Sequence, residues 1–108
     1  MVKSVVLAPE FLTSDALKAL SDPTRWEICR RLAAEELCVC HLVEDMGLSQ
    51  SLLSHHLKVL RGSGLVEKRR HSYWTYYRLC REAFDALGDQ LRTLSESVCE
   101  PGACRPCC

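Results

Sequence analysis

The sequence predicts a mainly α-helical domain with a small β wing: a winged helix-turn-helix of five helices and one two-stranded hairpin. Three features predict it. A tight turn from Met46 to Gln50 joins two helical patterns, strand chemistry begins after Gly64, and helical spacing returns at Arg81. The length of 108 residues suits one domain. With 47% apolar and 26% charged residues, the chain is neither a disordered tail nor a fibre. No apolar run approaches the ~20 residues that cross a bilayer, so a cytoplasmic domain with no membrane partner is expected.

In chain order, Thr13 or Ser14 can cap a first helix that carries Leu17 and Leu20. Asp22 followed by Pro23 is an N-cap with proline at the first helical position, opening a second helix to about Ala34. That helix is expected to bury Trp26, Ile28, Cys29, Leu32 and Ala33. A third short helix falls between Leu37 and Met46, stopped by Gly47 in the left-handed region. Ser49 caps a fourth from Gln50 to about Arg61, with Leu53, Leu57 and Leu60 on its inner face and Gly62 and Gly64 ending it. Leu65 to Arg69 and Tyr73 to Leu79 read as strands separated by Arg70, His71 and Ser72.

The final helix, about Arg81 to Val98, places Phe84, Leu87, Leu91, Leu94 and Val98 at spacings of three and four. So narrow an apolar seam exceeds what one small core needs, which points to packing on a second copy. The expected division is therefore residues 1–98, with a dimerisation helix at about 81–98, and a Cys-rich tail at 99–108.

Fourteen basic and fourteen acidic side chains cancel, but they are segregated. From Lys58 to Arg81 the local balance is +6, and from Glu82 to Glu100 it is −4. Local basic density matters more for phosphate binding than the net charge. With its leucines inward, the fourth helix turns out Gln50, Ser51, Ser54, His55, Lys58 and Arg61, short hydrogen-bonding groups first and cations behind. A major groove meets them in that order, bases first and phosphates later. Lys68, Arg69, Arg70 and His71 of the wing extend the surface, whereas His56 sits by the inner face as a structural histidine. Double-stranded DNA is the expected partner.

Four stretches, Ala19 to Arg25, Glu36-Leu37-Cys38-Val39-Cys40, Leu48-Ser49-Gln50-Ser51 through Ser54-His55-His56-Leu57, and Gly64-Leu65-Val66, resemble the ArsR/SmtB family of winged-helix metalloregulatory repressors. The resemblance implies a homodimer that holds an imperfect palindromic operator when metal-free and releases it when a thiophilic metalloid binds. The Leu-Cys-Val-Cys stretch is similar to the family's arsenic-sensing motif, which implies As(III) or Sb(III) as inducer and no cofactor for DNA binding. In those sensors a third cysteine commonly follows three residues after the second. Here that position is Val43.

Eight cysteines without an export signal read as reduced thiols, ligands for soft metals or redox sensors. Trivalent arsenic favours three thiolates in a pyramid, zinc four ligands in a tetrahedron. Two apart on a regular helix, Cys38 and Cys40 diverge by about 200°, so their meeting on one atom is expected to need an unwound helix start. The first expectation for the third sulfur is a tail thiol from Cys99, Cys104, Cys107 or Cys108. The second is a separate tail site of Cys104, Cys107 and Cys108, and His41 is a reluctant nitrogen donor. Cys29 and Cys80 read as packed thiols.

No histidine lies in the last helix, which disfavours the family's interhelical zinc site, and the wing tip carries Ser72 and Tyr73 where glycine and arginine are usual. Two other readings stand beside the repressor: the same scaffold sensing cadmium, lead or oxidation, and a small thiol-dependent reductase. No Gly-rich phosphate loop or paired acid and base supports an enzyme.

Overall fold

The computed structural model describes residues 9–106. Among them five helices and one antiparallel hairpin follow in the order α1 (Pro9–Leu20), α2 (Pro23–Ala34), α3 (Val39–Met46), α4 (Gln50–Gly62), β1 (Val66–His71), β2 (Trp74–Leu79) and α5 (Arg81–Glu96). This is the winged helix-turn-helix expected.

Local chemistry sets most boundaries. Asp22 caps α2 by accepting the N–H groups of Thr24 at 2.9 Å and Arg25 at 3.1 Å. Gly47 ends α3 at φ +68°, its N–H donating to the Val43 carbonyl at 2.9 Å. Two residues later Ser49 Oγ accepts the Leu52 N–H at 3.2 Å and opens α4. α1 is described from Pro9, and Thr13 and Ser14, expected as its caps, lie inside the helix.

The core lies where α2, α3, α4 and the base of the hairpin meet. Ile28, Leu42, Leu53, Leu57, Leu60 and Leu65 are its fully buried large side chains, each worth about 1.5–3 kcal/mol of transfer free energy. Trp26 and Ala33 were expected in it and are not: Trp26 is 53% exposed and Ala33 is exposed. The stripe of Ile28, Cys29 and Leu32 faces inward, and both outliers lie about 100° round the helix from its centre.

The hairpin pairs Val66 with Leu79 through to His71 with Trp74. Arg70 and His71, expected in the turn, are therefore strand residues, because the loop is only Ser72 and Tyr73. Ser72 sits at φ +60°, and a positive φ at the first loop residue alone is the signature of a type II′ turn, where glycine is favoured. Outside the hairpin, Leu37 pairs with Tyr77: Leu37 N–H donates to the Tyr77 carbonyl at 3.1 Å and Tyr77 N–H to the Leu37 carbonyl at 2.7 Å.

α5 stops at Glu96, two residues short of Val98. Its first half packs Ala83, Phe84 and Leu87 on the core, while Leu91 and Leu94 stand 51% and 69% exposed. Among the described residues no helix is long and apolar enough to cross a membrane.

Candidate nucleic-acid interface and thiol site

α4 turns Gln50, Ser51, Ser54, His55, Lys58 and Arg61 to the surface, all exposed. Leu52, 41% exposed, joins them. The leucine spacing of the inner face does not mark it, because it lies about 100° round the helix from Leu53; an apolar group there suits a thymine methyl. His56 is 8% exposed and holds the helix from below. Its Nδ1 accepts from Arg25 Nη1 at 3.1 Å, and Arg25 Nε donates to the Ala19 carbonyl at 2.7 Å. Burial lowers the His56 pKa below the ordinary value, against the attraction of Asp22, and Arg25 and His55 add repulsion.

On β1, side chains alternate. Lys68 and Arg70 share the Val66 face, and Lys68 lines a groove with Lys58 and Arg61 of α4. Arg69 and His71 point the other way. Arg69 Nε and Nη2 both donate to Glu36 Oε1, at 2.9 and 2.6 Å, and Arg78 Nη1 lies 3.9 Å from Glu36 Oε2. The Arg69 guanidinium also stacks 5.7 Å from the Tyr76 ring centroid. Of the wing cations, Lys68 and Arg70 have no ion-pair partner among the described residues, and Arg69 is held by Glu36.

The thiol site lies behind this clasp. Cys38 is not in α3 but is its N-cap, in extended backbone at φ −94° and ψ 169°, and Cys40 lies in the first turn. Their sulfurs are 2.7 Å apart, so the expectation that α3 must unwind fails: the 200° divergence applies only to two helical residues. His41 Nδ1 accepts the Cys38 N–H at 3.2 Å and lies 3.3 Å from its sulfur. The ligand atoms of all three residues fall within 4.8 Å of one another. Burial raises the Cys38 pKa, but the Cys40 thiol and the N–H groups of the first turn outweigh it and leave it below the usual thiol value. Cys40 goes the other way, raised chiefly by its hydrogen bond to Cys38. Such a pair loses protons as a unit, one thiol donating to one thiolate.

Soft donors this close suit a soft ion. With metal–thiolate bonds of about 2.3 Å, the sulfurs need part by only about 1 Å to share one atom. Among the described residues no tail thiol joins them: Cys99 and Cys104 are exposed and outside the group, and Cys107 and Cys108 lie outside the described residues. His41, the least favoured donor on sequence grounds, is the one the structure brings in. Cys29 is buried, its thiol pushed up to about 11 by burial. Cys80 is half-buried, raised by burial as well, and donates to Glu82 at 3.6 Å. Both are packed thiols.

A helix-turn-helix with a basic wing and an outward polar reading face defines a winged-helix DNA-binding transcriptional regulator, not an enzyme. Comparison with known proteins agrees. The family model described as "Bacterial regulatory protein, arsR family" matches residues 22–68. Over 84 residues the chain is 40% identical to the "Arsenical resistance operon repressor" of Staphylococcus xylosus, covering 78% of this chain and 81% of that one. It belongs to the arsR family. An ArsR-like transcriptional regulator from Rhodococcus sp. RHA1 shares the fold at TM-score 0.77 and 24% identity, over 83% of this chain and 85% of that one. A winged helix-turn-helix DNA-binding domain from Mycobacterium bovis, described as homodimeric and a possible ArsR-family regulator, matches at TM-score 0.68 and 28% identity over 82% of each chain.

Proposed function

We propose that the chain is a homodimeric repressor that holds operator DNA through α4 and the hairpin and releases it when trivalent arsenic or antimony binds Cys38 and Cys40. The observation that carries this reading is the convergence of those two sulfurs at 2.7 Å, beside His41, on the first helix of the helix-turn-helix. The arsenical resistance repressor of Staphylococcus xylosus, similar over most of both chains, supports the inducer class. Gln50, Ser51, Ser54 and His55 read base edges, with Leu52 beside them, while Lys58, Arg61, Lys68 and Arg70 hold phosphates. His71, which ends β1 at the tip of the wing, is the residue proposed to reach the minor groove.

Two protomers join through the exposed end of α5, at Leu91 and Leu94, as the homodimeric Mycobacterium bovis domain suggests. Phe84 and Leu87, also expected in that seam, serve mainly the protomer's own core. The third sulfur of a pyramidal site is assigned to a tail thiol from residues 99–108, and the regulator acts in the cytoplasm, where its operator is.

Operator fluorescence anisotropy with arsenite, cadmium and hydrogen peroxide added in turn tests the reading. Cys38→Ser and Cys40→Ser are expected to bind operator and keep it in arsenite, whereas Cys29→Ser still releases it. Release by both serine variants at the parent's arsenite concentration would sink the assignment; response to cadmium or peroxide but not arsenite would replace the inducer.

A further inference from the structure

We propose that the thiol site acts on DNA through the wing, with Glu36 and Tyr76 as the coupling residues. This rests on the reading of Cys38 and Cys40 as the inducer site and says how that site is heard. Cys38 follows two residues that are both bound to the hairpin. Leu37 exchanges two backbone hydrogen bonds with Tyr77, and Glu36 holds Arg69 and Arg78. A second route leaves from the other side of the site. The His41 ring, 3.3 Å from the Cys38 sulfur, lies 6.5 Å from the Tyr76 ring, which carries the Arg69 guanidinium at 5.7 Å and the His71 ring at 6.4 Å. Both routes end on the same face of β1 and β2.

The motion required is small and directed. To share one atom, the two sulfurs must part by about 1 Å, and Cys40 is held in the first turn of α3. Cys38, buried at the N-cap in extended backbone, is the partner joined directly to the hairpin-bound segment. Its displacement is passed by one peptide bond to Leu37 and so to β2. It also breaks or shifts the His41 hydrogen bond that orients the ring against Tyr76. The wing then turns relative to α4. The groove formed by Lys58, Arg61 and Lys68 spans the two elements, so a turn of the wing spoils a phosphate path that α4 alone cannot keep.

Intrinsic fluorescence tests this in the full chain. The sequence has two tryptophans, so Trp26→Phe leaves Trp74, on β2, as the sole reporter. Phenylarsine oxide, which bridges two thiols, is the probe, and Cys38→Ser is the control for binding elsewhere. Bridging should shift Trp74 emission in the Trp26→Phe protein and not in its Cys38→Ser derivative. Tyr76→Leu and Glu36→Gln should each reduce that shift. They should also cut the arsenite effect on operator affinity, which allosteric proteins typically set at roughly 5- to 150-fold, to within about twofold. If Tyr76→Leu proves unstable, Glu36→Gln, a change of one surface carboxylate, decides. Unmoved Trp74 emission on bridging, or full shift and full release in Glu36→Gln, overturns the coupling. Trp74 movement by phenylarsine oxide with no arsenite effect on the operator upholds the coupling and removes arsenite as the inducer.

Discussion

Removing wing cations one at a time separates those that face phosphate from the one that faces Glu36. Lys58, Arg61, Lys68 and Arg70 are exposed and without an ion-pair partner among the described residues. Four such cations in each of two protomers make about eight phosphate contacts. At about 0.9 per contact, the slope of log affinity on log salt is near −7, and raising salt from about 50 to 200 mM costs about four orders of magnitude. Arg70→Ala removes two contacts from the dimer and should flatten the slope by about 2. Arg69→Ala should leave it unchanged, because strand alternation turns that side chain to the opposite face, where Glu36 accepts two of its N–H groups. An operator anisotropy series across salt measures both. Equal flattening by Arg69→Ala and Arg70→Ala would show that Arg69 reaches phosphate and that its clasp does not survive on DNA.

Leu91→Glu should give monomers in sedimentation that no longer bind operator, since it places a charge in the uncovered end of α5; a dimer of unchanged mass would move the interface elsewhere. Ser72→Gly should raise stability by about 1 kcal/mol, read as a higher Tm, because glycine relieves the cost of positive φ; a lower Tm would contradict the turn geometry. His56 has a folded pKa below its ordinary 6.5, so the unfolded chain binds more protons as pH falls from there. Stability should be complete above that pH and decline below it, and His56→Gln, which keeps an acceptor for Arg25, should flatten the decline in chemical denaturation. Truncation after Val98 should weaken arsenite binding without abolishing it; complete loss, with Cys38→Ser still responsive, would move the sensor to the tail.

The helix-turn-helix was legible because its punctuation is local. Asp22-Pro23, Gly47 and Ser49 each act within their own turn, and the spacing of Leu53, Leu57 and Leu60 gives the inner face without help from elsewhere. The thiol site was legible in its residues and not in its geometry. Nothing near Cys38 marks a cap, since cysteine is not a preferred N-cap. Its extended backbone comes with the Leu37–Tyr77 pairing, which joins residues far apart in sequence. The Glu36–Arg69 clasp bridges 33 positions and leaves no periodic trace, so a run of three basic residues read as three equal cations. Thr13 and Ser14 failed differently: both hydroxyl residues can cap a helix, and here both lie inside one.

The position of Cys38 has a genetic consequence. Serine is among the best residues for opening a helix, so Cys38→Ser exchanges one capping atom for a better one while discarding a soft donor. A cysteine codon becomes a serine codon by a single base change. On the proposed reading, uninducible alleles of this regulator therefore lie one point mutation from the parent and carry no folding defect to betray them. Selection for growth without the inducer cannot remove them. Only exposure to it can, and a strain kept long in clean medium should accumulate them silently.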